Sequence, residues 1–362
     1  MKILYVVDQL QDLTSDPLYF GLVRLLGQQH VVDFPSKDIF HRAEAKRWFF
    51  PLVPSLGLDE ARVREWLKDG QFDFVCLASA RQECYANLRK LYSPLCFPPV
   101  VFIDGADDHH ICRDVVDEFR PALYFKRDYI WAFGNPWLDR GRQLIVFHGD
   151  RSLMARTFPL PLSIVEDALP DVGNVPKRYD VSYRGHASHP RRAKAVRLLS
   201  SMGDITFSGA VYARPGDKLY KLRHGFWGRL WTKTFGGEAG PVELDRRYDP
   251  DEYYREILAS RIAVHIRGGG YTATPRYFEI VALGTMLISD MPETLIPNDF
   301  EHGRHAVFCK SNLDDLRDLV RYYIHHANER EAIAREGHAH LLKHHTCERR
   351  AEYFLDVCRR LL

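Results

Sequence analysis

The chain has 362 residues, of which 46% are hydrophobic and 27% are charged, and its formal net charge is +2. This length exceeds what one hydrophobic core usually supports, so two domains are expected. The nearly balanced charge argues against extensive binding of duplex nucleic acid, and no apolar run approaches the roughly 20 residues that cross a bilayer. The first residues predict a strand rather than a signal peptide, so we expect a cytoplasmic protein.

Apolar runs alternate with helical patterns along the first half, which is typical of an α/β domain with a parallel sheet. The predicted strands are Ile3 to Val7, Val31 to Phe34, Phe72 to Ala78, Val100 to Ile103 and Leu144 to Phe147. The predicted helices are Leu18 to Leu26 and Asp59 to Lys68. Residues 159–176 are rich in proline and poor in periodicity, so they form the predicted linker.

The second half repeats this alternation. Its first predicted strands are Tyr179 to Tyr183 and Ile205 to Ser208, and three helices are predicted over residues 313–326, 328–344 and 347–361. The sequence thus predicts an N-terminal Rossmann-like domain over 1–165 and a C-terminal one over 177–345. Seven scattered cysteines without a C-x-x-C pair indicate reduced thiols rather than zinc or disulfides.

The segment from Arg261 to Asp290 reads as strand, glycine loop, helix and strand. The apolar run Ile262 to Ile266 suits a strand buried on both faces of a parallel sheet, and three glycines follow it. Thr274 stands at a helix N-cap with Pro275 at the first helical position, and Gly284 closes the helix. The unpaired amides of a helix start beside a glycine loop bind anions, so this segment predicts a phosphate site.

The residues Arg276, Glu279, Ala282 and Gly284 form the pattern Arg-x-x-Glu-x-x-Ala-x-Gly, followed by a strand. This pattern resembles the C-terminal domain of glycosyltransferases of the α/β GT-B fold, which has two facing Rossmann-like domains with parallel sheets and an inter-domain cleft. It is similar to the CgeB-like group and to phage DNA glucosyltransferases. The resemblance implies that Glu279 binds the donor ribose. It also implies that residues 346–362 pack back on the N-terminal domain.

The same resemblance implies a set of donor-binding residues around the loop and the helix start. They are Arg267, Gly269, Gly270, Thr272, Thr274, Arg276 and Glu279. Retaining members of the superfamily often carry a second glutamate eight positions before this one, where the present chain has Tyr271. This departure favours an inverting mechanism.

A second phosphate candidate lies at the first strand-to-helix turn of the C-terminal half. Gly185 ends the strand there, Pro190 starts a helix, and Arg191 and Arg192 stand in its first turn. The helix dipole disfavours arginines at this position unless an anion is bound, and guanidinium groups hold phosphate in a fork. The segment resembles the start of the second domain in the phage enzymes. Alternatively, it is a solvated basic helix start.

Inverting glycosyl transfer needs a carboxylate that takes the proton of the acceptor hydroxyl. Asp104 ends a predicted strand, and Asp107 lies on the loop beyond it. The carboxyl ends of parallel strands face the ligand, so either residue is a candidate base, and the other orients it or caps a helix. The resemblance to the phage enzymes favours Asp104. His109 and His110 follow, but the GT-B architecture needs no metal for donor binding, so neither a metal nor a cofactor is expected.

Two basic and aromatic stretches are candidate acceptor contacts. Residues 214–233 hold six Lys or Arg against one Asp, which suits an anionic, sugar-rich or peripheral membrane partner. The shorter stretch at Tyr124 holds Lys126 and Arg127, which are predicted to bind acceptor or phosphate. The alternatives are a self-packed loop and an exposed helix start.

Together these features predict a glycosyltransferase that moves a sugar from a nucleoside diphosphate to an unknown acceptor hydroxyl, inverting and without metal. The acceptor is a glycan, a lipid-linked group, a protein or a small molecule, and DNA is a minor alternative. A nucleotide-sugar epimerase and a non-catalytic sugar-binding domain are the competing interpretations.

Overall fold

The computed structural model describes residues 1–43, 51–93, 96–107, 110–130, 150–169, 175–213, 242–244, 250–268 and 273–362. Its chain divides into two compact units. Unit 1 comprises Met1–Leu169, Glu293–Asn298 and Lys343–Leu362, and unit 2 comprises Pro170–Pro292 and Asp299–Leu342.

In the described part of unit 1, six parallel strands form a sheet of order β2-β1-β3-β4-β5-β6. The strands are β1 Ile3–Val6, β2 Val31–Phe34, β3 Phe74–Leu77, β4 Val100–Asp104, β5 Leu123–Lys126 and β6 Thr157–Pro159. The helices are α1 Ser15–Leu26, α2 Asp38–His41, α3 Glu60–Lys68, α4 Gln82–Leu91, α5 Arg113–Phe119 and α6 Arg151–Ala155. Strands β1, β3, β4 and β5 are buried along their whole length, as strands covered on both faces require.

In the described part of unit 2, six parallel strands form a sheet of order β12-β11-β10-β7-β8-β9. The strands are β7 Tyr179–His186, β8 Phe207–Ala213, β9 Val242–Leu244, β10 Ser260–His265, β11 Met286–Asp290 and β12 Val307–Cys309. The helices are α7 Pro190–Ser200, α8 Pro250–Leu258, α9 Pro275–Ala282, α10 Leu316–His325 and α11 Ala327–His344, the last two residues of α11 being assigned to unit 1.

The last helix, α12 (Cys347–Leu361), belongs to unit 1 and packs on α1. Its buried face includes Phe354 and Leu355, which join the core of unit 1. Gly21 permits the close approach of the two helices, because a Cβ there would lie 2.1 Å from the carbonyl oxygen of Cys347. The C-terminal residues therefore complete the core of the N-terminal unit.

The structure differs from the sequence prediction in several places. Helix α1 begins at Ser15 rather than Leu18, and Tyr124 lies in the buried strand β5 rather than at an exposed helix start. Residues 293–298 and 343–345, predicted in the C-terminal domain, belong to unit 1. Helices α2, α4, α5 and α6 and strand β6 were not predicted. The predicted strand over 144–147 and the basic stretch 214–233 lie outside the described residues.

Candidate functional site

The candidate site of unit 2 lies where β7, β10 and β11 end. These strands are neighbours and parallel, so the segments that follow them emerge at one edge of the sheet. The segment after β7 leads to α7, and the segment after β10 leads to α9. Both helices start with proline at the first helical position, as the sequence predicted.

A buried histidine, His265, hydrogen-bonds to the residue at the start of helix α9. His265 Nε2 lies 3.0 Å from the hydroxyl of Thr274, and its Nδ1 lies 2.8 Å from Ser289 Oγ. The Ser289 hydroxyl donates to the carbonyl of Asp290, so Nδ1 carries the imidazole proton and Thr274 donates to Nε2. Burial lowers the pKa of His265 well below its ordinary value, so the ring is neutral.

A carboxylate, a guanidinium and two phenols form the centre of the site. Glu279, which is only 8% exposed, accepts from the Tyr253 hydroxyl at 2.9 Å and from the Tyr254 hydroxyl at 3.3 Å. Arg276 Nε donates to the same Tyr253 oxygen at 3.0 Å. Burial raises the pKa of the Glu279 carboxyl, against the opposing effects of Tyr253, Arg276 and Tyr254. These side chains form an acceptor and a cation on one face of α9.

Gly185 is required because two side chains converge above it. A Cβ at this position would lie 2.7 Å from the Tyr183 hydroxyl and 3.2 Å from Arg276 Nη1. Tyr183 is 1% exposed, and among the residues that the structure describes its hydroxyl has no hydrogen-bond partner. The guanidinium of Arg276 lies over the ring of Tyr183, 5.9 Å from its centroid. A buried hydroxyl and a guanidinium are donors suited to an anion.

The arginines near the helix starts are held by Asp290 and by backbone carbonyls. Asp290, at the end of β11, is fully buried and contacts Arg267 Nε at 2.9 Å and Arg191 Nη1 at 3.2 Å. Arg192 donates to the carbonyls of Ile266 and His186 at 2.9 and 3.1 Å. Arg192 thus ties the turn after β7 to the turn after β10, and its role as a phosphate ligand stays a prediction. Arg191 is the more accessible of this pair, with its side chain 24% exposed.

Three residues of the predicted donor loop, Gly269, Gly270 and Thr272, lie outside the described residues, as does His109 in the other half of the chain. Across the ranges that the structure describes, no group of three or more His, Cys, Asp or Glu side chains is arranged to hold a metal ion. Within the same ranges, no helix is long and apolar enough to cross a membrane.

In unit 1, Asp104 is a buried group rather than an exposed base. Its carboxylate, 1% exposed, lies 2.8 Å from the ammonium of Lys126, accepts from the Tyr124 hydroxyl, and accepts from the amide of Ala106 at 3.1 Å. Lys126 is itself fully buried. The ammonium of Lys126 lies in the core against Asp104, and its binding to acceptor or phosphate stays a prediction.

Asp107 is the accessible carboxylate of this loop. Its side chain is 84% exposed and contacts the guanidinium of Arg127, whose side chain is 7% exposed. Arg127 Nε also donates to Asp128 at 3.1 Å, so the guanidinium is held between two carboxylates. Of the two predicted base candidates, the structure leaves Asp107 open to solvent and encloses Asp104.

Sequence reasoning missed several residues of the site in unit 2. Tyr183, Tyr253, Tyr254 and Asp290 surround the predicted residues, yet they stand on other elements and match no motif. The only signal in the sequence is that Asp290 ends an apolar strand, the position at which polar residues face a ligand.

The comparisons with known proteins agree with this architecture. Residues 212–356 match the family model described as glycosyl transferase-like. Among solved structures, a glycosyltransferase from Rickettsia africae has a TM-score of 0.62 at 8% identity, covering 99% of this chain and 98% of its own. HepE of Anabaena in complex with UDP-glucose has a TM-score of 0.60 at 12% identity, with both chains fully covered. An alpha-glucosyltransferase in complex with UDP has a TM-score of 0.62 at 9% identity, with 99% of each chain covered.

The fold is that of the GT-B glycosyltransferases. No curated protein sequence matches the chain. The family match over residues 212–356 is to a glycosyl transferase-like model, and the chain is similar in fold to the Rickettsia enzyme and to HepE.

Proposed function

We propose that this enzyme binds a nucleoside-diphosphate sugar on unit 2 and transfers the sugar to an acceptor hydroxyl with inversion and without a metal ion. One observation carries the donor assignment. A buried carboxylate, Glu279, and a guanidinium, Arg276, stand on one face of α9 at the sheet edge where parallel strands end. HepE and the alpha-glucosyltransferase were solved with UDP or UDP-glucose, which supports a nucleotide-sugar donor here.

Each group has a role that follows from its chemistry. The Glu279 carboxylate is an acceptor only, so it binds the ribose hydroxyls, which are donors. Arg276, Arg191 and the uncapped start of α9 provide positive charge for the diphosphate. Arg267 is bonded to Asp290, and Gly269, Gly270 and Thr272 are proposed as phosphate-binding residues on the sequence pattern alone.

The catalytic base that we propose is Asp107. A base must reach the proton of the acceptor hydroxyl, and the 84% exposed Asp107 side chain is accessible whereas the 1% exposed Asp104 is not. Asp104 instead orders the loop through Lys126 and the amide of Ala106. Arg127 orients the Asp107 carboxylate through their ion pair.

Metal independence is proposed because cationic side chains and a helix start are present to neutralise the leaving diphosphate. Inversion is proposed because Tyr271 stands where retaining relatives often carry a glutamate. The alpha-glucosyltransferase among the structural neighbours makes the stereochemical test necessary. Analysis of the product anomer by NMR decides it: inversion gives the configuration opposite to that of the donor, and an unchanged configuration contradicts this proposal.

The first experiment is a calorimetric and thermal-shift screen of UDP, GDP, TDP, CDP and ADP against wild type and Glu279→Gln, with and without EDTA. We expect one nucleotide to bind in EDTA and to bind at least tenfold more weakly to the variant. Loss of wild-type binding in EDTA contradicts metal independence. Binding by no nucleotide contradicts the donor site and favours a non-catalytic domain.

The acceptor requires a separate assay. One structural neighbour was solved with UDP and a 13-mer DNA, so single- and double-stranded DNA belong in the acceptor set beside glycans, lipid-linked sugars and proteins. The epimerase alternative predicts a donor isomer formed without any acceptor, which thin-layer or NMR analysis of the donor detects. Transfer to a hydroxyl with release of nucleoside diphosphate excludes it.

A further inference from the structure

In the described part of the site, the Tyr253 hydroxyl is the only group that hydrogen-bonds to both Arg276 and Glu279. It accepts from Arg276 Nε at 3.0 Å and donates to Glu279 Oε2 at 2.9 Å. Tyr254 also donates to Glu279, at 3.3 Å, but to the other carboxylate oxygen. The two neighbouring phenols on α8 therefore differ in one respect: only Tyr253 bonds to the arginine.

The direction of the two hydrogen bonds that link Arg276, Tyr253 and Glu279 is fixed. A guanidinium has no acceptor, so the Tyr253 oxygen must accept from Arg276, and its single proton is left for the carboxylate. Burial raises the pKa of the Tyr253 hydroxyl, so it stays protonated and able to donate. The guanidinium therefore donates to the hydroxyl, and the hydroxyl donates to the carboxylate, with no alternative pattern of hydrogen bonds.

Arginine and glutamate side chains are flexible, and ordering them on ligand binding costs conformational entropy. Here both are ordered by one rigid ring, which packs against Tyr254 with 5.1 Å between ring centroids. Arg276 also stacks over this ring, with its guanidinium carbon 5.4 Å from the centroid. The spacing between the cation and the carboxylate is therefore set before a nucleotide binds.

We propose that Tyr253 is a positioning residue that holds the phosphate-binding Arg276 and the ribose-binding Glu279 at the spacing of one nucleoside diphosphate. This inference rests on the proposed donor site. According to this proposal, Tyr253 supports the binding of both the diphosphate and the ribose, whereas Tyr254 supports the binding of the ribose alone.

The test compares Tyr253→Phe with the matched control Tyr254→Phe, since each removes one hydroxyl and keeps the ring. Calorimetry measures the binding of UDP, GDP, TDP, CDP and ADP and of their 2′,3′-dideoxy counterparts. We expect Tyr254→Phe to weaken binding of the ordinary nucleotide about threefold and that of the dideoxy nucleotide less than twofold. Tyr253→Phe is expected to weaken binding of the ordinary nucleotide about tenfold. It should still weaken binding of the dideoxy nucleotide at least threefold, because Arg276 loses its hydrogen bond to Tyr253.

The outcomes separate this inference from the donor site. If no diphosphate binds wild type, or if Glu279→Gln binds as wild type does, the donor site and the role of Tyr253 are both overturned. If the donor site is verified but the two phenylalanine variants lose affinity in the same pattern, or Tyr253→Phe loses none, only the role of Tyr253 is overturned. Equal melting temperatures of both variants exclude an effect through folding.

Discussion

The hydroxyl of Thr274 lies 3.0 Å from Nε2 of His265, so the residue at the N-cap of α9 does not cap its own helix. An N-cap threonine ordinarily accepts from an amide of the first turn. Here the hydroxyl donates to a buried neutral imidazole instead. The start of α9 is therefore fixed in position by His265, and the Thr274 side chain makes no capping bond to the first turn.

The first prediction concerns this contact. Thr274→Val removes the hydroxyl and leaves a buried imidazole nitrogen without its donor, which costs about 1 to 3 kcal/mol of unfolding free energy. Nucleotide affinity should fall as well, because the helix start loses its anchor. Thr274→Ser keeps the hydroxyl and should behave as wild type in urea denaturation and calorimetry. A stable Thr274→Val protein with normal affinity would show that the contact is dispensable.

The second prediction concerns Gly185. Gly185→Ala places a methyl group 2.7 Å from the Tyr183 hydroxyl and 3.2 Å from Arg276 Nη1, both ends of side chains that can move. We expect a loss of nucleotide affinity of about tenfold with less than about 1 kcal/mol loss of stability. Gly209→Ala is the contrast, because its methyl would lie 2.4 Å from the backbone oxygen of Tyr183. That variant should unfold at a clearly lower urea concentration.

The third prediction separates the two acids of unit 1. Asp107→Asn should lower kcat by about 100-fold or more and leave the melting temperature unchanged, since an exposed base is lost. Asp104→Asn leaves the buried Lys126 ammonium without its carboxylate, so it should cost about 3 to 5 kcal/mol of stability. Transfer assays and thermal denaturation measure both. Full activity in Asp107→Asn would remove it as the base.

The fourth prediction is a pH dependence of nucleotide binding. Burial raises the pKa of Glu279 above its ordinary value of 4.5, and only the ionised carboxylate accepts from both ribose hydroxyls. Affinity should therefore fall as pH falls through this raised pKa, and Glu279→Gln should abolish that dependence in calorimetric titrations. The effect on folding has the opposite sign: the stability contribution is complete below 4.5 and is lost as pH rises through the folded-state pKa. A pH-independent wild-type affinity between pH 4.5 and 8 would contradict the assignment.

The fifth prediction tests the packing of the C-terminal helix. Gly21→Ala forces the backbone of Cys347 away from α1, which should cost about 1 to 3 kcal/mol. Gly203→Ala is the control, because a Cβ there meets no atom within 4 Å. Urea denaturation of the two variants should differ in midpoint, and equal midpoints would show that α1 and α12 adjust without cost.

The starts and ends of several helices and most of the strands could be predicted from the sequence, because they depend on local chemistry. Proline at the first helical position placed the starts of α7 and α9, and Gly284, with its φ of +67°, closes α9 as the sequence predicted. Buried runs gave the strands, and the spacing of Arg276 and Glu279 on one helix put both on the same face. Such features depend on residues within a few positions of one another.

Contacts between elements that are distant in the sequence were determined only by the tertiary structure. The bond from Tyr253 to Glu279 joins residues 26 positions apart, and the one from Lys126 to Asp104 joins residues 22 apart. No periodicity encodes them, because they depend on which helix the sheet order brings beside which strand. Burial could not be predicted either: Lys126 ends β5 and Asp107 lies on the loop after β4, yet Lys126 is fully buried and Asp107 is exposed to water.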